Sequence, residues 1–194
     1  MDILELAQHN QRCAWEIMDT TGLIRAWESI GATVNVIGSL RSGLLCKSRD
    51  IDMHIYTDKL DIAESFAVTS GLAQRLPLKQ TQYINGVDTD EECIEWHSLY
   101  DDKQGNEWKF DMIQIRRGGK YDGTVERVTE AIIGKLTPEL RRTILQIKYD
   151  VPDGIMIPGI EIYHAVFTGK VTSYEQLERW RATNPLTDRL EWLP

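Results

Sequence analysis

Cysteine is scarce in this chain and shows no pairing pattern: Cys13, Cys46 and Cys93 stand far apart, with no metal-ligand spacing. Neither a zinc site nor a disulfide framework is indicated. Long apolar runs are missing as well. No stretch approaches the roughly 20 residues needed to span a bilayer, and Met1-Asp2-Ile3-Leu4-Glu5 is not the start of a signal peptide. The expected compartment is therefore the cytoplasm, with no membrane partner. Positive charge is in short supply too: 22 Lys and Arg against 30 Asp and Glu leave a net charge of -8. That balance argues against extended contact with a nucleic-acid backbone, which needs cations to displace counterions. Internal repeats and low-complexity tracts are absent.

What is present suits a folded domain. The 194 residues, 42% hydrophobic and 27% charged, are enough to bury a core as one domain or as a compact domain with a helical extension. Acid is concentrated between Asn85 and Glu107. There Asp88, Asp90, Glu91, Glu92, Glu95, Asp101, Asp102 and Glu107 are eight acids against one base, Lys103, a local charge of -7. Such a segment is either a solvated edge or an acidic wall that attracts a cationic substrate.

The apolar spacing divides the chain into a mixed front portion, 1–119, and a helical back portion, 120–194. Asp2 and Glu5 form a capping-box pattern for a first helix to about Met18, and Leu23 to Ile30 reads as a second, stopped by Gly31. Thr33 to Ile37 is β-branched and strand-like. Asp50 to Tyr56 alternates, with Ile51, Met53 and Ile55 on one face and Asp50, Asp52, His54 and Tyr56 on the other. A helix to about Thr69, with Ile62 and Phe66 inward, is expected to break at Ser70-Gly71. Gln80 to Ile84 is a further strand. Cys93 to Tyr100 and Glu107 to Ile115 flank a polar turn and predict a hairpin. Helical stripes follow, with Thr137-Pro138 opening one helix and a Ser173/Gln176 capping box opening the last.

Three acids stand out. Asp50 and Asp52, two apart on a strand, project side by side. Asp111, between Phe110 and Met112, is an acid in an apolar strand, where burial without a partner costs several kcal/mol. Two-metal phosphoryl chemistry needs carboxylates that bridge ions about 4 Å apart, and an all-oxygen site suits Mg2+, with Mn2+ able to substitute. Upstream, Gly38-Ser39 ends the first strand ahead of a short helix, Leu40 to Leu45, whose free amides suit an anion.

Gly38-Ser39, then Asp50-Ile51-Asp52, then Phe110-Asp111-Met112 resembles the signature of the nucleotidyltransferase superfamily typified by DNA polymerase beta, over roughly Leu23 to Ile115. Gly38-Ser39-Leu40-Arg41-Ser42-Gly43 is similar to the Gly-Ser-x-x-x-Gly form of its small prokaryotic members, including antibiotic nucleotidyltransferases. The resemblance implies an α+β (mixed α/β) fold: a small mixed β-sheet core flanked by helices, with an all-helical C-terminal part. It implies an enzyme that moves a nucleoside monophosphate from a nucleoside triphosphate, ATP being the first candidate, to a hydroxyl of a small molecule such as an aminoglycoside or lincosamide, releasing pyrophosphate. Gly38 and Ser39 would hold the triphosphate, with Arg41 and Lys47 as phosphate-screening cations. Asp50 and Asp52 would bind metal, and Asp111 would bind metal or activate the attacking hydroxyl. Two alternatives stay open: a minimal, antitoxin-like nucleotidyltransferase modifying a protein partner, and a nucleotide-binding module without turnover. Lys109 is read either as a phosphate contact or as a charge partner for the acids. His97 and Glu95 are read as structural or exposed.

Overall fold

The computed structural model describes residues 2–187 and 192–194. The elements run α1 (Ile3–Thr21), α2 (Leu23–Glu28), β1 (Thr33–Val36), α3 (Gly38–Arg41), β2 (Asp50–Thr57), α4 (Ile62–Arg75), β3 (Leu78–Gly86), β4 (Cys93–Asp101) and β5 (Glu107–Arg116). Four helices follow: α5 (Thr124–Lys135), α6 (Pro138–Asp150), α7 (Gly159–Gly169) and α8 (Tyr174–Thr183). The chain folds as two compact units that are not consecutive halves. One is drawn from Arg12–Ile37 and Arg49–Asp122, the other from Met1–Gln11, Gly38–Ser48 and Gly123–Pro194.

The first unit is built on a mixed five-stranded sheet in the order β1-β2-β5-β4-β3. β2 and β5 run in parallel, and every other neighbouring pair is antiparallel. The parallel pair needs a long crossover, supplied here by α4 with the β3–β4 hairpin. Alternation sends Ile51, Met53, Trp108, Phe110 and Met112 to one face, all buried. Helices α2 and α4 dock on that face: the indole N–H of Trp27 meets Met112 Sδ at 3.3 Å, and that of Trp96 donates to Ser65 Oγ at 2.7 Å.

The expected helix break at Ser70-Gly71 is absent. α4 continues to Arg75, since a single glycine costs a helix only about 1 kcal/mol. Its inward face also differs from expectation. Ser65, Val68, Thr69 and Leu72 are buried, whereas Ile62 and Phe66 are 37% and 45% exposed. Two hydroxyls hide the stripe: Ser65 accepts the Trp96 indole, and Thr69 Oγ1 donates back to the Ser65 carbonyl.

The second unit is helical. Ile3, Ala7, Leu44 and Cys46 join Val128, Ile132, Ile144, Leu145, Ile162 and Val166 in its core. Its helix starts obey local rules: Thr137 accepts from Leu140 N–H ahead of Pro138, and Ser173 accepts from Gln176 N–H. Among the described residues no helix is long and apolar enough to cross a membrane.

Removing the Ser65 hydroxyl strands a buried indole N–H. Ser65→Ala is expected to cost about 1–3 kcal/mol in urea-induced unfolding; a loss below a few tenths would contradict the role given to this bond.

Candidate active site

The residues singled out lie in both units, and each group is built by its own neighbours. In the sheet unit, parallel register sets Asp52 opposite Asp111 and Asp50 opposite Lys109. Neighbouring strands lie about 4.8 Å apart and paired residues share a face, so the three acids stand together on the face opposite Met112. Backbone bonds pin both sides of β2 there: Ile37 N–H donates to the Asp52 carbonyl at 3.0 Å, and Lys109 N–H to the Arg49 carbonyl at 2.8 Å. Beyond Asp52 the acid face closes over. His54 and Tyr56 are 5% and 4% exposed, so β2 is buried on both faces past its acids.

Asp111 is a carboxylate with an 18% exposed side chain, and burying it demands compensation. Lys109 supplies it on one oxygen at 2.9 Å. On the other oxygen the Nδ1 of His97, its neighbour across β4, makes a hydrogen bond. The His97 Nε2 faces Glu95 Oε2 at 3.0 Å. The His97 ring thus bridges Asp111 and Glu95. Burial opposes the charge on Lys109, but the hydrogen bond and charge of Asp111, with the charges of Asp50 and Asp52, outweigh it and hold its pKa above the ordinary lysine value. Lys109 is therefore a charge partner of the acids, and His97, read from sequence as structural or exposed, belongs to the same cluster.

The donor set offered by Asp50, Asp52 and Asp111 is wholly carboxylate oxygen, which fits Mg2+ or Mn2+. A divalent ion held at Asp111 would take over the neutralising charge that Lys109 provides. The three acids are not drawn together as tightly as Glu91, Cys93 and Glu95, whose ligand atoms lie within 4.8 Å of one another. That second group is a poor thiolate site. Burial, then the charges of Glu95 and Glu91, push the Cys93 thiol up to about 11, so it keeps its proton at neutral pH.

In the helical unit, α3 is a single turn, Gly38–Arg41, entered through Gly38 at φ 64°, a left-handed conformation that suits glycine. The expected helix over Leu40 to Leu45 thus contracts to one turn and carries little macrodipole. The positive charge at Ser39 comes instead from Lys148 on α6. Its Nζ donates to Ser39 Oγ and to the Leu44 carbonyl, each at 2.8 Å. Tyr163 on α7 places its hydroxyl 3.0 Å from Ser39 Oγ. Lys148 lies 109 residues from Ser39, and its only trace in the sequence is a lysine on an otherwise apolar helical stripe. Arg41 pairs with Glu130 at 2.8 Å. Lys47 bonds the Val151 carbonyl and meets Asp153 at 2.9 Å.

With this geometry in place, three solved structures are informative. The chain superposes on the Cid1 poly(U) polymerase bound to MgGTP with a TM-score of 0.52, 17% identity, and coverage of 73% of this chain and 42% of that one. It superposes on the GLD-2/RNP-8 complex with a TM-score of 0.59, 15% identity and coverage of 96% and 66%. For the complex of the poly(A) polymerase GLD-2 with GLD-3 the values are 0.57, 13%, 97% and 67%. The fold is that of nucleotidyltransferases. This chain spans less than half the length of the Cid1 polymerase. No protein-family model matches the sequence, and no curated protein matches it.

The raised thiol pKa has a chemical consequence. Thiolate is the reactive form, so Cys93 is expected to resist iodoacetamide at pH 8 in the folded chain and to react in urea, as read by mass spectrometry of its peptide. Rapid alkylation in the folded state would contradict its burial between two carboxylates.

Proposed function

We propose that the protein is a metal-dependent nucleotidyltransferase, moving a nucleoside monophosphate from a nucleoside triphosphate to a hydroxyl acceptor. One observation carries the reading above all: the β2–β5 register that stands Asp52 opposite Asp111, with Asp50 two residues away, in a nucleotidyltransferase fold. In this reading Asp50, Asp52 and Asp111 hold Mg2+, or Asp111 takes the acceptor's proton. Bound Mg2+ supplies the charge that neutralises the triphosphate and eases ionisation of the attacking hydroxyl. Gly38 leaves room for backbone beside the phosphates. Ser39, Tyr163 and Lys148 offer two hydroxyls and an ammonium to the same anion, an arrangement drawn from three distant parts of the helical unit. Arg41 and Lys47 engage phosphate on release from Glu130 and Asp153, both exposed enough to yield. The acceptor oxygen bonds to the α-phosphorus, the α–β bridging bond breaks, and pyrophosphate leaves.

For the acceptor we favour a small molecule, in line with the net charge of -8 and the acidic segment around the hairpin. A cationic compound such as an aminoglycoside or a lincosamide matches that charge. The names of the neighbours favour a second reading, addition to an RNA 3′ end, since the Cid1 and GLD-2 structures are of poly(U) and poly(A) polymerases.

The test is pyrophosphate release with Mg2+, each triphosphate in turn, and either a panel of amino sugars and lincosamides or short RNA. Release with a small acceptor and none with RNA is expected. RNA extension would overturn the acceptor, and no release with anything would overturn the transfer itself. Asp50→Asn and Asp52→Asn should each lower kcat by at least about a thousandfold, because they remove the counter-charge of a metal that acts in the transition state. Lys148→Met should act mainly on the triphosphate KM, raising it roughly 10- to 100-fold for the loss of a charge-assisted bond. An unchanged KM would remove Lys148 from the phosphate site.

A further inference from the structure

Strand β4 alternates so that Ile94, Trp96 and Ser98 are buried in the core, while Cys93, Glu95 and His97 turn to the face that carries the acids. The indole bond from Trp96 to Ser65 ties β4 down from the core side, so the backbone beneath His97 is held. Its ring is half-shielded and engaged at both nitrogens. Nδ1 bonds Asp111 Oδ1, and Nε2 lies 3.0 Å from Glu95 Oε2. Glu95 is anchored in turn, its Oε1 accepting from Cys93 Sγ at 3.8 Å.

The two oxygens of Asp111 therefore have different surroundings. In the strand order β2-β5-β4 this residue stands between Asp52 on one side and His97 on the other. Oδ1 belongs to the β4 side through His97. Oδ2 meets Lys109 Nζ at 2.9 Å, and the charges of Asp50 and Asp52 reach that same ammonium. A cation that replaces the ammonium at Oδ2 is thus answered by all three acids. We propose that His97 is a positioning residue: it fixes the Asp111 carboxylate by Oδ1, so that Oδ2 is the oxygen that serves the divalent ion or the acceptor's proton once Lys109 withdraws. The inference rests on the nucleotidyltransferase reading and adds to it the atom that works and the side chain that aims it. A hydrogen-bonded partner sets the orientation of a metal-binding carboxylate without touching the ion. Glu95 keeps the ring from turning, and the line Cys93, Glu95, His97 along β4 reaches the acids through the bond to Asp111.

Mn2+ affinity in the presence of a nonhydrolysable ATP analogue, followed by electron paramagnetic resonance, tests this without turnover. His97→Ala should weaken Mn2+ roughly 10- to 100-fold. His97→Asn keeps an amide near the Nδ1 position and should recover most of that loss, whereas His97→Gln places its amide nearer Nε2 and should recover little; this pair decides the matter if alanine destabilises the chain. In an Asp111→Asn background, His97→Ala should change the affinity by less than about twofold, since the carboxylate it aims is gone. A residue that merely supports the strand would weaken both backgrounds alike. Equal losses in the two backgrounds, an asparagine no better than the glutamine, or wild-type affinity in His97→Ala would each overturn the positioning role and leave the transferase reading standing. A wild-type chain that binds no Mn2+ would overturn both.

Discussion

Asp52 faces Asp111 because β2 and β5 run in parallel and in register, and the candidate chemistry hangs on that pairing. A slip of one residue would turn every side chain of β5 to the other face. Phe110 or Met112 would then stand among the acids, and Asp111 would enter the core beside Trp27. The hydrophobic face resists such a slip: Trp108, Phe110 and Met112 are each at most 1% exposed, and each large buried side chain is worth about 1.5–3 kcal/mol. Core packing on one face thus holds the carboxylates in place on the other.

Charge balance follows from the same register. Three carboxylates on adjacent strands repel, and Lys109 and His97 answer them from the nearest positions on the face they share. Lys109 is therefore a stand-in cation within the sheet unit, and it stabilises the acid cluster. Positive charge for an anion arises separately in the helical unit, where Lys148 is fixed between Ser39 Oγ and the Leu44 carbonyl. A one-turn helix supplies little of it, so the phosphate reading there rests on a side chain.

Much of this was legible in the residues. The strands carrying Asp50, Asp52 and Asp111 declare themselves by alternation, and an acid in the run Trp108 to Ile115 is conspicuous because an unpaired buried charge is so costly. The hairpin and the Thr137 and Ser173 caps follow local rules and stand where those rules put them. Three features were hidden. His97 joins the acids through strand order, since only the pairing of β4 with β5 puts it across from Asp111. Lys148 reaches Ser39 through tertiary packing over more than a hundred residues. The buried stripe of α4 contains Ser65 and Thr69, whose hydroxyls are satisfied inside the protein, while the apolar Ile62 and Phe66 point outward. A hydrophobicity pattern reads that helix backwards.

The claim at the centre is that β2 and β5 together make one divalent-metal site. Mn2+ binding, followed by electron paramagnetic resonance in the presence of a nonhydrolysable ATP analogue, tests it most directly. Tight binding to the wild-type chain, weakened at least about tenfold by Asp52→Asn and equally by Asp111→Asn, is the expected result. Affinity that falls with neither substitution would contradict the account, and the paired acids would then be a charge cluster of the sheet.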